Sequence, residues 1–208
     1  MRDSVKNIYK MKDQILSLLR PLIIIIVFLV LGAAITFILL LIIGHEQNNK
    51  QLITLFSRTL SFLLIIPLIS IDWSLLKLRT VNYKFFIVSV LLAIVFFFVK
   101  KYEFFIFNIP VSKDVHFTGV IDLLVAAPFI EEIIFRGYVQ RQINKNFNIH
   151  FSILFTSIFF SFYHLQIESL LSHFLFSVFA GYLFYKSGSL SLTIFFHFVV
   201  NLTIYFFL

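Results

Sequence analysis

The chain has 208 residues, 60% of them apolar and only 13% charged, far from the soluble norm of about half apolar and a quarter charged. Seventeen Lys and Arg against ten Asp and Glu give a net charge of +7, but the basic residues sit in short segments beside apolar runs. That is the pattern of membrane anchors and contacts to anionic lipid, so nucleic acid is not an expected partner. The absence of cysteine excludes disulfides, thiolate metal ligands and a cysteine nucleophile.

The first segment, MRDSVKNIYKMKDQILSLLR, carries five basic and two acidic residues and leads into an apolar run from Pro21 to Ile43. A bilayer crossing needs roughly 20 such residues. The run ends in IIGHEQNN rather than at a small-residue cleavage site, so a retained span is expected, with Pro21 at its helix start, where a missing N–H costs nothing. Further spans are expected at about 52–71, 84–99, 118–139, 151–166, 170–186 and 190–208. The resulting fold class is all-α: a polytopic transmembrane bundle of about seven spans. Lys77, Arg79, Lys84, Arg141 and Lys145 favour a cytoplasmic N-terminus, while the loop with Lys100, Lys101 and Lys113 opposes it. Abundant Phe, Ile, Lys and Asn suit an AT-rich coding sequence, and a bacterial plasma membrane is the expected location.

An ionisable group in hydrocarbon costs roughly 2.5–3.5 kcal/mol on insertion scales, so it needs a partner or a task. Three clusters in the C-terminal half invite the question. In APFIEEIIFRGYVQR, Glu132 and Arg136 are four apart and share a helix face, as an ion pair would. Glu131 points about 100° away and is expected to lack that partner, as suits a group that takes and returns a proton. Pro128 is expected to free the carbonyl of Leu124, four residues back, and to bend the helix. Next, His164 lies in FFSFYHL near the end of its span, four residues after Phe160. Finally, His197 and Asn201 share a face of the last span, fit either to join helices or to stabilise an oxyanion.

These residues, EEIIFR at 131–136, Phe160 to His164 and His197 to Asn201, reproduce in order the E-E-x-x-x-R, F-x-x-x-H and H-x-x-x-N motifs of the CPBP family. That family includes the CAAX prenyl endopeptidases and the bacteriocin-immunity (Abi) proteins. The resemblance divides the chain into N-terminal membrane helices (1–117, about three spans) and a four-helix peptidase core (118–208). It implies that Glu131 activates a water with help from His164, that His197 and Asn201 bind the oxyanion, and that Glu132, Arg136 and Phe160 are structural. Metal-independent catalysis without a cofactor is expected. The alternative is Zn2+ held by Glu131, His164 and His197.

The expected function is an intramembrane endopeptidase with a cavity opening towards the cytoplasm, acting on a membrane-bound or lipidated peptide in maturation or bacteriocin self-immunity. Alternatives are a non-catalytic immunity or sensor-partner protein, and a small transporter or proton relay. A rhomboid-like G-x-S-G turn and a G-x-G-D aspartate pair are both missing, and Ser189 is read as part of a tight turn at 187–189. His45, His116 and His150 are expected at interfaces, and His173 in an interhelical hydrogen bond, the alternative being a supporting role behind the catalytic groups. Rise arithmetic raises one difficulty: with these boundaries Glu131 and His197 fall roughly 10 Å from one face and His164 nearer 20 Å, so its helix must be displaced or tilted.

Overall fold

A computed structural model describes residues 2–44, 47–76, 82–108 and 116–207. His45, Lys77, Arg79 and Lys113 lie outside the described residues. The described residues form seven helical rods: α1 (Arg2–Ile43), α2 (Gln47–Ile65), α3 (Tyr83–Phe107), α4 (117–144), α5 (Ile149–Tyr163), α6 (Leu170–Ser187) and α7 (Leu190–Phe207). No strand occurs among the described residues, and the all-helical bundle read from the apolar runs is the observed fold. Four stretches are long and apolar enough to cross a membrane: Lys6–Ile43, Asn49–Leu68, Tyr83–Phe107 and Ile167–Ser187. Two apolar helices, Ile149–Tyr163 and Leu190–Phe206, are shorter.

Pro21 does not start a helix. It lies inside α1, which runs unbroken for 42 residues, about 60 Å or twice a hydrocarbon core. The reason is packing: Ser17, Pro21, Ile25 and Phe28 form one buried stripe at spacings of four, four and three, and this stripe continues through the proline. Tertiary burial thus overrides the interior-proline penalty of about 3 kcal/mol. Against α1 lies α2, whose Ser61 Oγ sits 3.6 Å from where a side chain on Gly32 would begin, a close approach through small residues.

Local signals set the other ends. The side chains of Asn82 and Asn148 accept from the backbone N–H groups of Lys84 and Phe151, capping α3 and α5. Gly188 takes φ 65° and ends α6, so the 187–189 turn is the tight turn expected. The interior is aromatic, with Phe96 packed edge-on against Phe176, Phe179 and Phe196.

The rods alternate in direction. Asn146 Nδ2 donates to the carbonyl of Asp13 at 3.2 Å, and Arg141 meets Asp72 at 3.5 Å. The start of α1, the end of α2 and the α4–α5 turn therefore share one end of the bundle, here the basic end. The last turns of α3, α5 and α7 lie at the other.

These helix limits remove the difficulty over depth. Because α4 continues to Asn144, Glu131 lies thirteen residues, about 20 Å, from the basic end. His164 lies fifteen residues from Ile149, about 22 Å. Leu190 meets Gly137, already seven residues deep in α4, and His197 is seven residues further on, so it too reaches about 21 Å. No displaced helix is needed, because α7 starts deep: the Trp73–Leu76 turn tucks under it, with Ser191 Oγ donating to the carbonyl of Leu76.

Candidate active site

Two stretches of α4, Asp122–Ala126 and Ile133–Gln140, are wound as π-helix. The N–H of Ala127 accordingly bonds to the carbonyl of Asp122, five residues back. In that register the next pair is Pro128 with Leu123, and proline has no N–H to give. The carbonyl freed is therefore that of Leu123 and not, as expected, that of Leu124. Asn201 Nδ2 on α7 supplies the missing donor at 2.8 Å. One of the two amide hydrogens of Asn201 is thus committed to joining α7 to α4.

Glu132 and Arg136 form the expected ion pair at 3.0 Å, with both side chains completely buried. Arg136 also donates to the carbonyl and hydroxyl of Ser177, at 3.2 and 3.1 Å, and its guanidinium lies over the ring of Phe160, 4.9 Å from the centroid. Phe160 thereby acquires a specific task as the apolar floor under a buried cation. The Glu132 oxygen that takes Arg136 also accepts from His197 Nδ1 at 3.0 Å, so Glu132 touches a candidate catalytic side chain directly.

Glu131 is buried too, but it is not the unpartnered carboxylate expected. Its Oε1 accepts from Arg58 Nη1 of α2 at 3.2 Å, and Arg58 Nε also lies 3.5 Å from Asp122 Oδ1, one π-wound stretch earlier in α4. The expectation failed because rotation about a single helix decides only same-helix partners. A partner 73 positions away is invisible to that argument. Glu131 Oε2 faces His164 Nε2 at 3.7 Å and His197 Nε2 at 4.0 Å.

The tautomers of both imidazoles follow from their other nitrogens. His164 Nδ1 lies 2.9 Å from the carbonyl of Phe160, which can only accept, so Nδ1 carries the hydrogen. Facing Glu132 Oε1, which also accepts from Arg136, His197 Nδ1 does the same. In its neutral form each ring turns an Nε2 lone pair towards Glu131 Oε2, itself buried without a hydrogen-bond partner. Three acceptors converge on one small volume, which suits a species that brings hydrogens, such as water. The separations exceed the roughly 3.4 Å between donors of a tetrahedral zinc site, and Glu131 is already shared with a guanidinium. Among the described residues no group of three His, Cys, Asp or Glu is arranged to hold a metal ion.

These groups line a cavity of about 1200 Å³. From Glu131 and Arg58 it widens past His173 and Lys100 to the exposed Asn108, Gln166 and Glu168, at the end of the bundle opposite the N-terminus. The two expectations of a cytoplasmic N-terminus and a cytoplasmic mouth therefore exclude each other. Both rested on charge and depth along single spans, and neither used the direction of the cavity.

Residues 114–203 match the family described as Type II CAAX prenyl endopeptidase Rce1-like. This segment belongs to that family. No curated protein and no solved structure matches the chain. At the family level this match supports an intramembrane protease of CAAX-protease type. All seven residues singled out from the motifs lie within it, and the fold brings them into one site: Glu131, Glu132 and Arg136 from α4, Phe160 and His164 from α5, His197 and Asn201 from α7.

Arg58 and Asp122 also belong to this site and were not foreseen as members of it. Arg58 and Asp122 did carry a signal, being ionisable residues inside predicted spans, the same criterion that drew attention to Glu131. His173 stacks face to face on His164, centroids 3.9 Å apart and planes 15° apart, an aromatic contact in place of the expected interhelical hydrogen bond. His116 precedes α4 with its N–H bonded to Gln51 Oε1, and His150 lies 2.7 Å from the hydroxyl of Tyr182, so both stand apart from the site.

Proposed function

We propose that the chain is a metal-independent intramembrane endopeptidase in which Glu131 and His164 activate a water. The observation that carries the reading is the convergence of Glu131 Oε2 with the two Nε2 atoms in a buried cavity. A water there gives one hydrogen to Glu131 and the other to His164. Its oxygen attacks the carbonyl carbon of the scissile peptide as Glu131 takes a proton. The second amide hydrogen of Asn201 is free to serve the oxyanion. For His197 to serve it as well, Nε2 must first take a proton from solvent through the open cavity, leaving hydrogens on both nitrogens, and Glu132 is the carboxylate beside the resulting cation. As the intermediate collapses the C–N bond breaks, and the proton held by Glu131 passes to the departing amine.

The substrate is a membrane-bound or lipidated peptide, which suits a cavity at this depth whose wall mixes aromatic rings such as Phe96, Phe160 and Phe176 with polar side chains. Orientation follows from charge. Among the described residues Lys6, Lys10, Lys12, Arg20, Lys84, Arg141, Lys145 and Lys186 belong to the basic end, against Lys50, Lys100 and Lys101 at the other. This asymmetry supports a cytoplasmic N-terminus and hence a cavity mouth on the opposite membrane face, reached by substrates already exported or inserted from that side.

The test compares peptide termini by mass spectrometry in cells expressing wild type or Glu131→Gln at equal abundance. Termini present only with wild type identify the product. Identical profiles under a condition in which the protein has a phenotype would refute peptidase action.

A further inference from the structure

Resting on the peptidase reading, we infer that Arg58, outside the family-matched segment, is a positioning residue of the active site: it clamps one oxygen of Glu131 so that the other faces the histidines. A glutamate that is to receive a proton at Oε2 must hold that oxygen towards the water, yet its terminal torsion is broad and roughly two-fold. Glu131 has no neighbour on its own helix to fix it, because Arg136 is spent on Glu132, Ser177 and Phe160. Arg58 limits this freedom: its Nη1 donates to Oε1 at 3.2 Å, while its Nε lies 3.5 Å from Asp122 Oδ1 as an ion pair. Asp122 adds a second carboxylate at ion-pair distance from the guanidinium, without a hydrogen bond. Two carboxylates from α4 thus share one cation from α2, and the cation's side chain, 23% exposed, lines the cavity wall beside the water position.

The arrangement separates two oxygens of one residue into a tethered one and a working one. A lysine reproduces the charge of Arg58 but not the fork, since its ammonium is a point charge with no fixed plane. The guanidinium, and not only its charge, is therefore what the geometry uses.

The experiment uses the purified full chain in detergent and the peptide whose cleavage depends on Glu131. Arg58→Ala is expected to lower kcat roughly 10²-fold, the scale of a misplacement near 1 Å, with KM changed by less than about threefold. Arg58→Lys should recover only part of the loss, and added guanidinium ion should raise the rate of Arg58→Ala at least about tenfold, which a merely structural role would not allow. A kcat within twofold of wild type, or a loss that neither lysine nor guanidinium relieves, would overturn the proposal. An arm independent of catalysis compares thermal unfolding of Arg58→Ala, Glu131→Gln and the double variant. Non-additive midpoints support the clamp, and strictly additive ones count against it. If wild type cleaves nothing, the peptidase reading fails alone, and the unfolding cycle still decides whether Arg58 holds Glu131.

Discussion

Replacing Arg136 by Met tests the buried core of the site most directly. The side chain is completely buried, as is its partner Glu132 at 3.0 Å, and two further contacts to Ser177 and a ring contact to Phe160 complete its surroundings. Methionine keeps much of the apolar stem but strands the Glu132 charge in a dry interior, and breaking one half of such a pair costs about 3–5 kcal/mol. The folded-to-unfolded ratio should fall by a factor of roughly 10² to 5 × 10³. Adding Glu132→Gln removes the stranded charge, so the double variant should be more stable than Arg136→Met alone. The assay is denaturant unfolding in mixed micelles, followed by the fluorescence of Trp73, the chain's single tryptophan, in the turn beneath α7. A single-variant loss below about 1 kcal/mol, or a double variant that merely sums the two losses, would refute the view that Arg136 neutralises Glu132.

Three other outcomes are expected. Since the chain has no cysteine, Lys145→Cys and Gln166→Cys in otherwise unaltered protein give a clean topology test. A membrane-impermeant maleimide applied to intact cells should label Cys only at position 166, and labelling at 145 instead would invert the proposed orientation. Asn201→Leu should destabilise the bundle by about 1–3 kcal/mol, because the carbonyl of Leu123 loses its only donor across the α4–α7 contact while Pro128 still offers none. Unchanged unfolding would show that the carbonyl is satisfied elsewhere. Gly181→Ala should cost about 1–3 kcal/mol by overpacking, since the new methyl would lie 3.0 Å from Ile153 Cγ2 and 3.1 Å from Gln140 Oε1. A stability equal to wild type would mean that α5 and α6 separate without penalty.

Much of this architecture is legible before any coordinates. The apolar runs mark the seven rods to within a few residues at most ends, because length and hydropathy are what a bilayer imposes. The polar residues of α4, α5 and α7 announce themselves because charge and amide groups in hydrocarbon need a reason. Three things stayed hidden, each for the same physical cause, that they depend on contacts between distant segments. Pro21 lies mid-helix because a buried stripe passes through it. Arg58 reaches Glu131 across the bundle. The cavity mouth lies at the far end because Trp73–Leu76 occupies the space under α7 at the near one.

The π-wound stretches of α4 bear on how this site tolerates change. Glu131 and Glu132 are adjacent in sequence and chemically alike, yet one faces the histidines' Nε2 atoms and the other the Arg136–His197 pair. Only the angular phase of the helix tells them apart. A single-residue deletion within Asp122–Ala126 would rotate everything beyond it by about 100°, and identical carboxylates would be dealt to the wrong neighbours. Helix content and hydropathy would scarcely register the loss. The π-turns therefore work as the reading frame of the catalytic helix, and the proline with its Asn201 cap marks where that frame is set.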